Sequence, residues 1–147
     1  MAFDTIKLET QSANQDALID NDSLSAGYNI LGTAWDNASD LYMYASGDLR
    51  FTPSVAPTAG KVFKLYFLYA ADGTNYEDGS AGDAAAPGAN PVWTFPARAV
   101  TTDHRISFGN IPLRPQKMTP LVRNELGQDV TALYLLIYGH NKKVGTA

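Results

Sequence analysis

The sequence predicts an all-β fold, an antiparallel β-sandwich of jelly-roll type with about seven to nine strands and long loops. Three observations support this prediction. Short apolar runs alternate with segments rich in Gly, Pro, Asn and Asp at intervals of roughly ten to twenty residues. No segment has the periodicity of an amphipathic helix, and a parallel sheet would need crossover helices. Aromatic residues make up 11% of the chain, and Tyr and Phe favour the pleated, half-buried surface of a sheet.

The most apolar run of the chain lies at residues 62–69, with the sequence Val-Phe-Lys-Leu-Tyr-Phe-Leu-Tyr. A run of this kind with a single charge predicts a central strand that is covered on both faces. Residues 72–91 follow it and are rich in Gly, Ala, Asp and Asn without apolar periodicity. They predict a long loop that leaves the sheet for water.

The other predicted strands are shorter or interrupted. Residues 92–100 contain Pro96, which cannot donate to a ladder and therefore predicts an edge strand or a bulge. A bulge is also expected at Ser46 and Gly47, and a turn at residues 36–40. The remaining predicted strands are residues 3–9, 27–35, 41–45, 47–51, 105–113 and 132–138, with a hairpin at residues 121–128 whose turn contains Gly127.

The expected domain organisation has three parts. These are an N-terminal strand and polar arm over residues 1–25, a β-sandwich domain over residues 26–141, and a flexible C-terminal tail over residues 142–147. Residues 10–25 are dominated by Gln, Asn, Asp and Ser, which predicts an arm that becomes ordered against a neighbouring protein. Leu18 and Ile19 are apolar points in this arm and are expected on its contact surface. A weak helical turn at residues 15–19 is the alternative.

Charge and composition exclude several classes of protein. The net charge of −4 and the pI near 4.9 disfavour binding to nucleic acid, which requires clustered Lys and Arg. The absence of Cys excludes disulfides, zinc–thiolate sites and cysteine nucleophiles. The sequence shows no signal-peptide pattern and no apolar window of membrane-spanning length. The protein is therefore expected to be made in the cytoplasm and to stay soluble, with neither nucleic acid nor membrane as a partner.

No catalytic constellation is found in the sequence. His104 and His140 are the only histidines and hence the only candidates for a proton shuttle at neutral pH. Asp103 precedes His104, but adjacent strand residues point apart and do not pair as in a catalytic triad. There is no Gly-x-Ser-x-Gly elbow and no phosphate-binding glycine loop. His104 is expected at the start of a strand and His140 near a flexible end, and no catalytic residue or cofactor is assigned.

The acidic part of the long loop is the main candidate for an interaction surface. Carboxylates and glycines together are typical of calcium-binding loops. Their spacing here does not match the alternate acidic positions of an EF-hand loop, so no metal is assigned. Most aromatic residues lie in predicted strands and are expected in the core, whereas Tyr76 is expected at the surface, where a ring can stack on a sugar. The residues of the expected interaction surface are Asp72, Asn75, Tyr76, Glu77 and Asp78, together with Leu18 and Ile19.

Three segments of the chain resemble small β-sandwich virion structural proteins of tailed bacteriophages. They are Trp-Asp-Asn-Ala-Ser-Asp-Leu-Tyr at residues 35–42, the strand and loop at residues 65–79, and residues 111–113 leading to Val-Arg-Asn-Glu-Leu-Gly at residues 122–127. The similar proteins carry a comparable Asp-Asn-x-Ser-x-Leu-Tyr turn, an Asp-Gly-Thr-Asn-Tyr loop and a late Val-x-Asn-x-x-Gly hairpin. The likeness covers residues 30–139, leaves the N-terminal arm unmatched, and consists of turn motifs.

The resemblance implies a non-enzymatic component of a bacteriophage virion. The implied function is that of a capsid decoration or cement protein that binds and stabilises the head shell, or of a head-fibre or tail subunit. The implied partners are the major capsid protein or other virion proteins, and further copies of the chain in a homo-oligomer such as a trimer. The implied localisation is the virion, after synthesis in the host cytoplasm. The alternative function is that of a carbohydrate- or receptor-binding tail or fibre module.

Overall fold

A computed structural model of the chain shows two antiparallel five-stranded sheets. It describes residues 5–9 and 16–145, with side chains from residue 17 to residue 141. In chain order the elements are β1 (Thr5–Glu9), β2 (Asp16–Leu24), β3 (Asn29–Leu31), β4 (Trp35–Asp36), α1 (Asn37–Asp40), β5 (Tyr44–Pro53), β6 (Val62–Ala70), β7 (Trp93–Pro96), β8 (His104–Pro112), β9 (Lys117–Glu125) and β10 (Val130–Gly145). No helix among the described residues is long and apolar enough to cross a membrane.

The order of the strands is that of a jelly roll. The first sheet runs β2–β10–β5–β8, and β1 pairs with the C-terminal part of β10. The second sheet runs β3–β9–β6–β7, and β4 pairs with β9 beyond the end of β3. From β4 onwards every connection crosses between the sheets except the one from β6 to β7, which gives two interlocked Greek keys. The predicted antiparallel sandwich is confirmed. The ten strand segments of the described chain make eight strand positions if β1 and β4 are counted as extensions.

The core lies between the two sheets. Alternate residues of β10, Leu133, Leu135 and Ile137, are at most 3% exposed, and they face the apolar side chains of the second sheet. Across the interface, the rings of Phe51 and Phe63 meet edge to face, with 4.7 Å between their centroids. Burial of this kind contributes about 1.5 to 3 kcal/mol for each large apolar side chain. These three residues alternate in the sequence of residues 132–138, and such a period-2 pattern predicts one face of a strand. The core face of β10 is therefore the face that the sequence predicts.

Strand β6 is buried on both faces, as its sequence predicted. Its inward residues join the main core, whereas Tyr66 and Leu68 form a second buried cluster with Leu121 of β9 on the outer face of the second sheet. The outer face of this strand can be buried only if another part of the chain lies on it, and that part belongs to the long loop between β6 and β7. The edge position of residues 92–100 is confirmed for β7, which pairs only with β6 among the described strands.

The predicted bulge at Ser46 and Gly47 is also confirmed. The pairing of β5 with β8 shifts register between Ala45 and Gly47. Residues 37–40 of the expected turn form the single helical turn α1, and Leu41 ends it with a left-handed backbone, so β5 begins later than predicted, at Tyr44. A bulge of this kind bends the strand and increases its twist, which helps the sheet to curve around the core.

The prediction of an N-terminal arm is wrong for the residues that the structure describes. Residues 16–24 form β2, which pairs with β10, and the expected helical turn at residues 15–19 is absent from its described part. Leu18 and Ile19 are 7% and 2% exposed, so they belong to the core and not to an interaction surface. Register shifts in this ladder and a positive φ at Asn21 allow two neighbouring apolar residues to be buried. Residues 10–15 lie outside the described residues.

Two predictions about the C-terminal region are also wrong. The expected flexible tail at residues 142–147 is strand as far as Gly145, because β10 continues and pairs with β1, while residues 146–147 lie outside the described residues. The expected hairpin at residues 121–128 is a crossover, because β9 and β10 belong to different sheets. Gly127 does have the positive φ expected of it, at +75°. The sequence thus predicted the turn conformation at Gly127 correctly. A turn, however, does not determine whether the two strands that it connects pair with each other.

Candidate functional site

Three loops meet at one end of the sandwich. The loop between α1 and β5 is bonded to the loop between β8 and β9, because the Leu113 amide donates to the Met43 carbonyl at 2.9 Å. The β6–β7 loop joins them through Arg114, whose Nη1 lies 3.6 Å from Oε1 of Glu77. We call residues 41–43, 71–78 and 113–116 the loop surface. It contains all five residues that were predicted from the acidic loop, and all five are exposed.

The first part of the loop surface is held by one buried amide. Asn37 is fully buried, and its Nδ2 donates to the carbonyls of Tyr42 and Arg114 at 3.0 and 2.8 Å. Its Oδ1 accepts from the Tyr42 amide at 2.9 Å. Every hydrogen-bonding position of this side chain but one is therefore used to fix the backbone. The sequence had identified residues 36–40 as a turn, but not this bond across 77 residues to Arg114.

The turn places two large apolar side chains in solvent. Leu41 has a left-handed backbone with φ of 55°, which is strained for a residue with a branched side chain. Leu41 is 58% exposed and Met43 is 51% exposed. The neighbouring Trp35 is anchored by its Nε1, which donates to Asp40 at 2.9 Å. A strained and well-anchored turn that displays apolar side chains is typical of a contact surface rather than of a solvated loop.

Asp72 organises the second part of the loop surface. Its carboxylate accepts from the amides of Asn75 and Thr74 at 2.7 and 2.9 Å, and from Nδ2 of Asn75 at 2.7 Å. The amide of Asn75, followed by that of Thr74, lowers the pKa of Asp72 to about 2. Gly73 supplies the positive φ of this turn, at 77°. The Asp72 carboxylate therefore stabilises the loop through hydrogen bonds within its own turn. These bonds explain the Asp-Gly-Thr-Asn pattern without a bound cation.

The ionisation of Asp72 gives a pH dependence. Because its pKa in the folded chain lies below the ordinary value, the charged carboxylate stabilises the turn above about pH 4, and this contribution is lost as the pH falls through about 2. The amide NMR shifts of Thr74 and Asn75 are expected to change over that interval. In Asp72→Ala the same shifts are expected to be displaced already at pH 6 and to lack the acid transition. Flat shifts between pH 4 and 2 in the unmodified chain would contradict the assigned turn.

Glu77 ties the loop back to the end of β6. Its amide donates to the Tyr69 carbonyl at 3.0 Å, and its Oε2 accepts from the Tyr69 amide at 3.1 Å. The guanidinium of Arg114 lies 4.8 Å from the centroid of the Tyr69 ring, a cation–π distance. A cavity of about 350 Å³ opens beside this pair, with Val92, Ile111 and Leu113 among its lining residues. The loop surface thus has an apolar recess next to its charged residues.

The rest of the long loop folds back onto the second sheet. Asn29, which is 2% exposed, donates from Nδ2 to the carbonyls of Ser80 and Ala85 at 3.1 and 3.0 Å. Arg123 donates from Nη1 to Oδ1 of Asn29 and to the Ala84 carbonyl, both at 2.9 Å. These bonds hold residues 79–88 against the outer face of the sheet.

Gly79 shows how closely this part of the loop packs. A Cβ atom on it would lie 2.6 Å from Cδ1 of Leu68 and 3.2 Å from Cδ1 of Leu121. Residues 79–88 therefore cover the second apolar cluster, and the prediction that the loop leaves the sheet for water is wrong for this half. At Gly79 the absence of a side chain allows the backbone to lie against the sheet, where a Cβ atom would not fit.

Replacing Asn29 is expected to release this cover. Asn29→Ala removes the amide that binds the loop, and we expect a loss of about 2 kcal/mol of unfolding free energy because the part-buried hydrogen bonds to the carbonyls of Ser80 and Ala85 are lost. Hydrogen exchange should become faster in residues 79–88 while the β10 amides stay protected. Asn90→Ala, at an exposed position of the same loop, is the matched control. Unchanged exchange in the Asn29 variant would show that the clamp does not hold the loop.

The structure also reveals a buried serine–histidine pair that the sequence did not indicate. Oγ of Ser46 and Nε2 of His140 lie 2.9 Å apart, and the Asn110 amide donates to the same Oγ at 3.1 Å. Ser46 and His140 are 8% and 5% exposed. Both residues are buried at the bulge where β5, β8 and β10 meet, so the pair links three strands. The prediction of a flexible surrounding for His140 is wrong, whereas His104 does begin a strand, β8.

The remaining site chemistry is limited in the described part of the chain. No group of three or more His, Asp or Glu side chains there is placed to hold a metal ion. Phe67, Tyr69, Leu135 and Ile137 are all buried in the core, so the aromatic strands offer no sugar-stacking platform at these positions. Tyr76 is 39% exposed on the loop surface, as expected.

Comparison with known proteins adds no family to this description. No protein-family model matches the sequence, and a search of curated proteins finds no match either. The sequence resemblance to virion proteins is therefore supported only by the turn motifs themselves. The loop surface, with its apolar pair, its anchored acidic turn and its neighbouring recess, is the candidate functional site on geometric grounds.

Proposed function

We propose that this chain is a non-enzymatic structural protein of a bacteriophage virion, a decoration or cement protein that binds the capsid through the loop surface and stabilises the head shell. The observation that carries the proposal is the exposure of Leu41 and Met43 on a turn that buried Asn37 holds rigid. An apolar pair displayed in this way gains free energy when a partner covers it.

Preorganisation makes this surface suitable for binding a lattice of repeated sites. The backbone of the loop surface is fixed by hydrogen bonds from Asn37, Asp72 and Glu77. Little conformational entropy is then lost on association, which is a main cost of forming an interface. The apolar pair with charged neighbours such as Arg114 has the composition of an interface with a hydrophobic centre and a polar rim.

The resemblance and the fold support the same proposal. The virion-like motifs at residues 35–42 and 72–79 both lie at the end of the sandwich that carries the loop surface. The jelly roll is a recurrent architecture of viral capsid proteins, although it also occurs in lectins and enzymes, so the fold alone does not select a function. The negative net charge of the chain suits a partner other than packaged DNA.

The partner in this proposal is the major capsid protein or another virion protein. A lattice presents the same binding site many times, so the copy number of the chain would follow the capsid symmetry, and a homotrimer fits local three-fold positions. The expected localisation is the virion. The alternative of a carbohydrate- or receptor-binding module that uses Tyr76 stays a prediction, and loss of glycan binding in Tyr76→Ala would favour it.

The direct experiment is to find the chain in purified particles. Mass spectrometry of phage particles that encode it should detect the protein in many copies per particle, and cryo-EM should place it on the head with residues 41–43 at the capsid contact. Absence of the chain from purified particles would overturn the proposal. Its presence on the tail would overturn the capsid assignment and favour the tail alternative.

A charge substitution tests the role of the loop surface. Met43→Asp and Leu41→Asp should reduce binding to particles that lack the protein by about tenfold or more, since a buried unpaired carboxylate is costly. Val55→Asp is the matched control, because Val55 is 56% exposed and lies in the β5–β6 loop, whose Ser54 bonds to Asp129 at the other end of the sandwich. Equal binding by all three variants would show that the contact lies elsewhere.

A further inference from the structure

A second recess lies on the outer face of the first sheet, in the half of the sheet away from the loop surface. Its volume is about 430 Å³, within the range of small-ligand pockets. Among the residues that line it are Arg50 and Thr52 of β5, Asp103 directly before β8, Arg105 of β8, and Tyr134 of β10. Nothing in the sequence indicated that these positions belong together, because they come from three strands separated by 29 residues or more.

The register of the sheet explains how the residues meet. Tyr134 pairs with Arg50, and Arg50 pairs with Arg105, so the three side chains form a row across neighbouring strands. Two guanidiniums at directly opposed positions repel each other unless a counter-charge lies between them. That counter-charge is Asp48, two residues before Arg50 on the same face of β5.

Asp48 holds both guanidiniums in place. Nε of Arg50 lies 2.9 Å from Oδ1 of Asp48, and Nε and Nη2 of Arg105 lie 2.9 and 2.8 Å from Oδ2. The Asp48 side chain is 9% exposed, whereas those of Arg50 and Arg105 are 38% and 62% exposed. A guanidinium has five N–H groups, and neither arginine uses Nη1 in a bond to this carboxylate. Fixed donors therefore face the solvent beside the recess.

A backbone irregularity shapes the same recess. The pairing of β10 with β5 shifts register between Thr131 and Tyr134. Ala132, which also lines the recess, has a positive φ of 47°. A bulge of this type re-aims neighbouring side chains and is frequent beside binding sites. The strain at Ala132 is maintained by the surrounding ladder, which pairs Thr131 with Thr52 and Tyr134 with Arg50.

The chemistry of the recess includes acceptors as well as donors. Oγ1 of Thr52 donates to Oδ1 of Asp103 at 2.7 Å, which leaves the other carboxylate oxygen for a ligand. The two guanidiniums and the carboxylates of Asp48 and Asp103 balance in charge, so the site has no excess that would select an anion. A ligand that presents both donors and acceptors on a neutral framework fits this set.

We propose that this recess binds a neutral pyranose unit of a glycan. Its hydroxyl groups would accept from the free N–H groups of Arg50 and Arg105 and donate to Asp103, while its carbon face would lie against Tyr134. Hydroxyl groups act as donors and acceptors at once, and an aromatic face complements the C–H face of a sugar. The site is separate from the loop surface and does not rest on the proposed function, so a protein held on a particle by its loops would keep this site exposed.

The test is a glycan array that contains neutral and sialylated oligosaccharides, followed by saturation-transfer NMR of the intact chain with methyl glycosides of glucose, galactose, mannose and N-acetylglucosamine. Binding of a neutral glycan is expected. Arg105→Ala and Asp103→Asn should each weaken it by about tenfold or more, as expected for the loss of a charged hydrogen bond. Both positions are exposed, and Arg50 remains paired with Asp48 when Arg105 is removed, so thermal melting should stay close to that of the parent chain.

The controls are Tyr76→Ala and Arg114→Ala on the loop surface, which should leave glycan binding unchanged. Three results would overturn the proposal. The first is no glycan binding at all, and the second is binding restricted to sialylated glycans, which would contradict the balance of charges. The third is binding that survives both Arg105→Ala and Asp103→Asn but is lost in Tyr76→Ala, which would move the sugar site to the loop surface.

Discussion

Gly47→Ala is expected to destabilise the sandwich by about 3 kcal/mol or more, at or above the upper part of the usual range for overpacking. A Cβ atom at this position would lie 1.9 Å from the carbonyl oxygen of Leu136 and 3.0 Å from Cζ of Phe108. The first of these atoms belongs to the backbone of β10, so it cannot move aside as a side chain would. The two central strands of the first sheet would have to separate at the bulge.

The measurement is urea unfolding monitored by tryptophan fluorescence, with the midpoint and slope compared between variants. Gly88→Ala is the control, because a Cβ atom there meets nothing within 4 Å and no positive φ is involved. The control should unfold within about 0.5 kcal/mol of the parent chain. A loss below about 1 kcal/mol in the Gly47 variant would be inconsistent with such a close approach of β5 and β10.

Asn124→Ala is expected to cost about 3 kcal/mol, because two buried backbone groups and one part-buried carbonyl lose their partner. Asn124 is fully buried, and its Nδ2 donates to the carbonyls of Leu24 and Gln128 at 3.1 and 2.8 Å. Its Oδ1 accepts from the Leu126 amide at 2.9 Å. One side chain thus joins the end of β2 to the crossover between β9 and β10, and with it the two sheets.

Urea unfolding with hydrogen exchange distinguishes this role from simple loss of volume. In Asn124→Ala, exchange should accelerate at Leu126 and around the end of β2, beyond the change in global stability. Asn124→Asp keeps the acceptor but removes the two donors, so it is expected to be at least as destabilising despite its matched shape. If Asn124→Asp were as stable as the parent chain, the two donated bonds would be contributing nothing.

The parts of the fold that could be predicted are those whose structure depends on residues close together in the sequence. Residues 62–69 are apolar enough to require cover on both faces, and residues 132–138 alternate strictly, so both strands were identified with their buried residues. Pro96 and the Ser46–Gly47 pair indicated an edge and a bulge because their backbone chemistry acts where they stand.

The sequence did not predict strand β2, because this strand depends on pairing with β10, which is far away in the sequence. Its polar residues face solvent at the edge of a sheet, and a bulged ladder breaks the alternation that would have revealed a strand. The sequence predicted Leu18 and Ile19 as contact residues for another protein, whereas the core between the two sheets of the same chain buries them. A polar edge strand and a polar arm have nearly the same composition. They differ only in whether the segment pairs with a neighbouring strand.

The candidate site likewise has features that the sequence predicted and features that only the structure showed. The sequence by itself determined the sandwich class and the exposure of the acidic turn from Asp72 to Asp78, because these follow from periodicity and from a polar, Gly-rich composition. Only the tertiary structure decided that Asn37 is bonded to Arg114 and that Arg50 stands between Tyr134 and Arg105. The physical reason is that strand pairing brings together residues many positions apart, and the free energy of those contacts leaves no periodic trace along the chain.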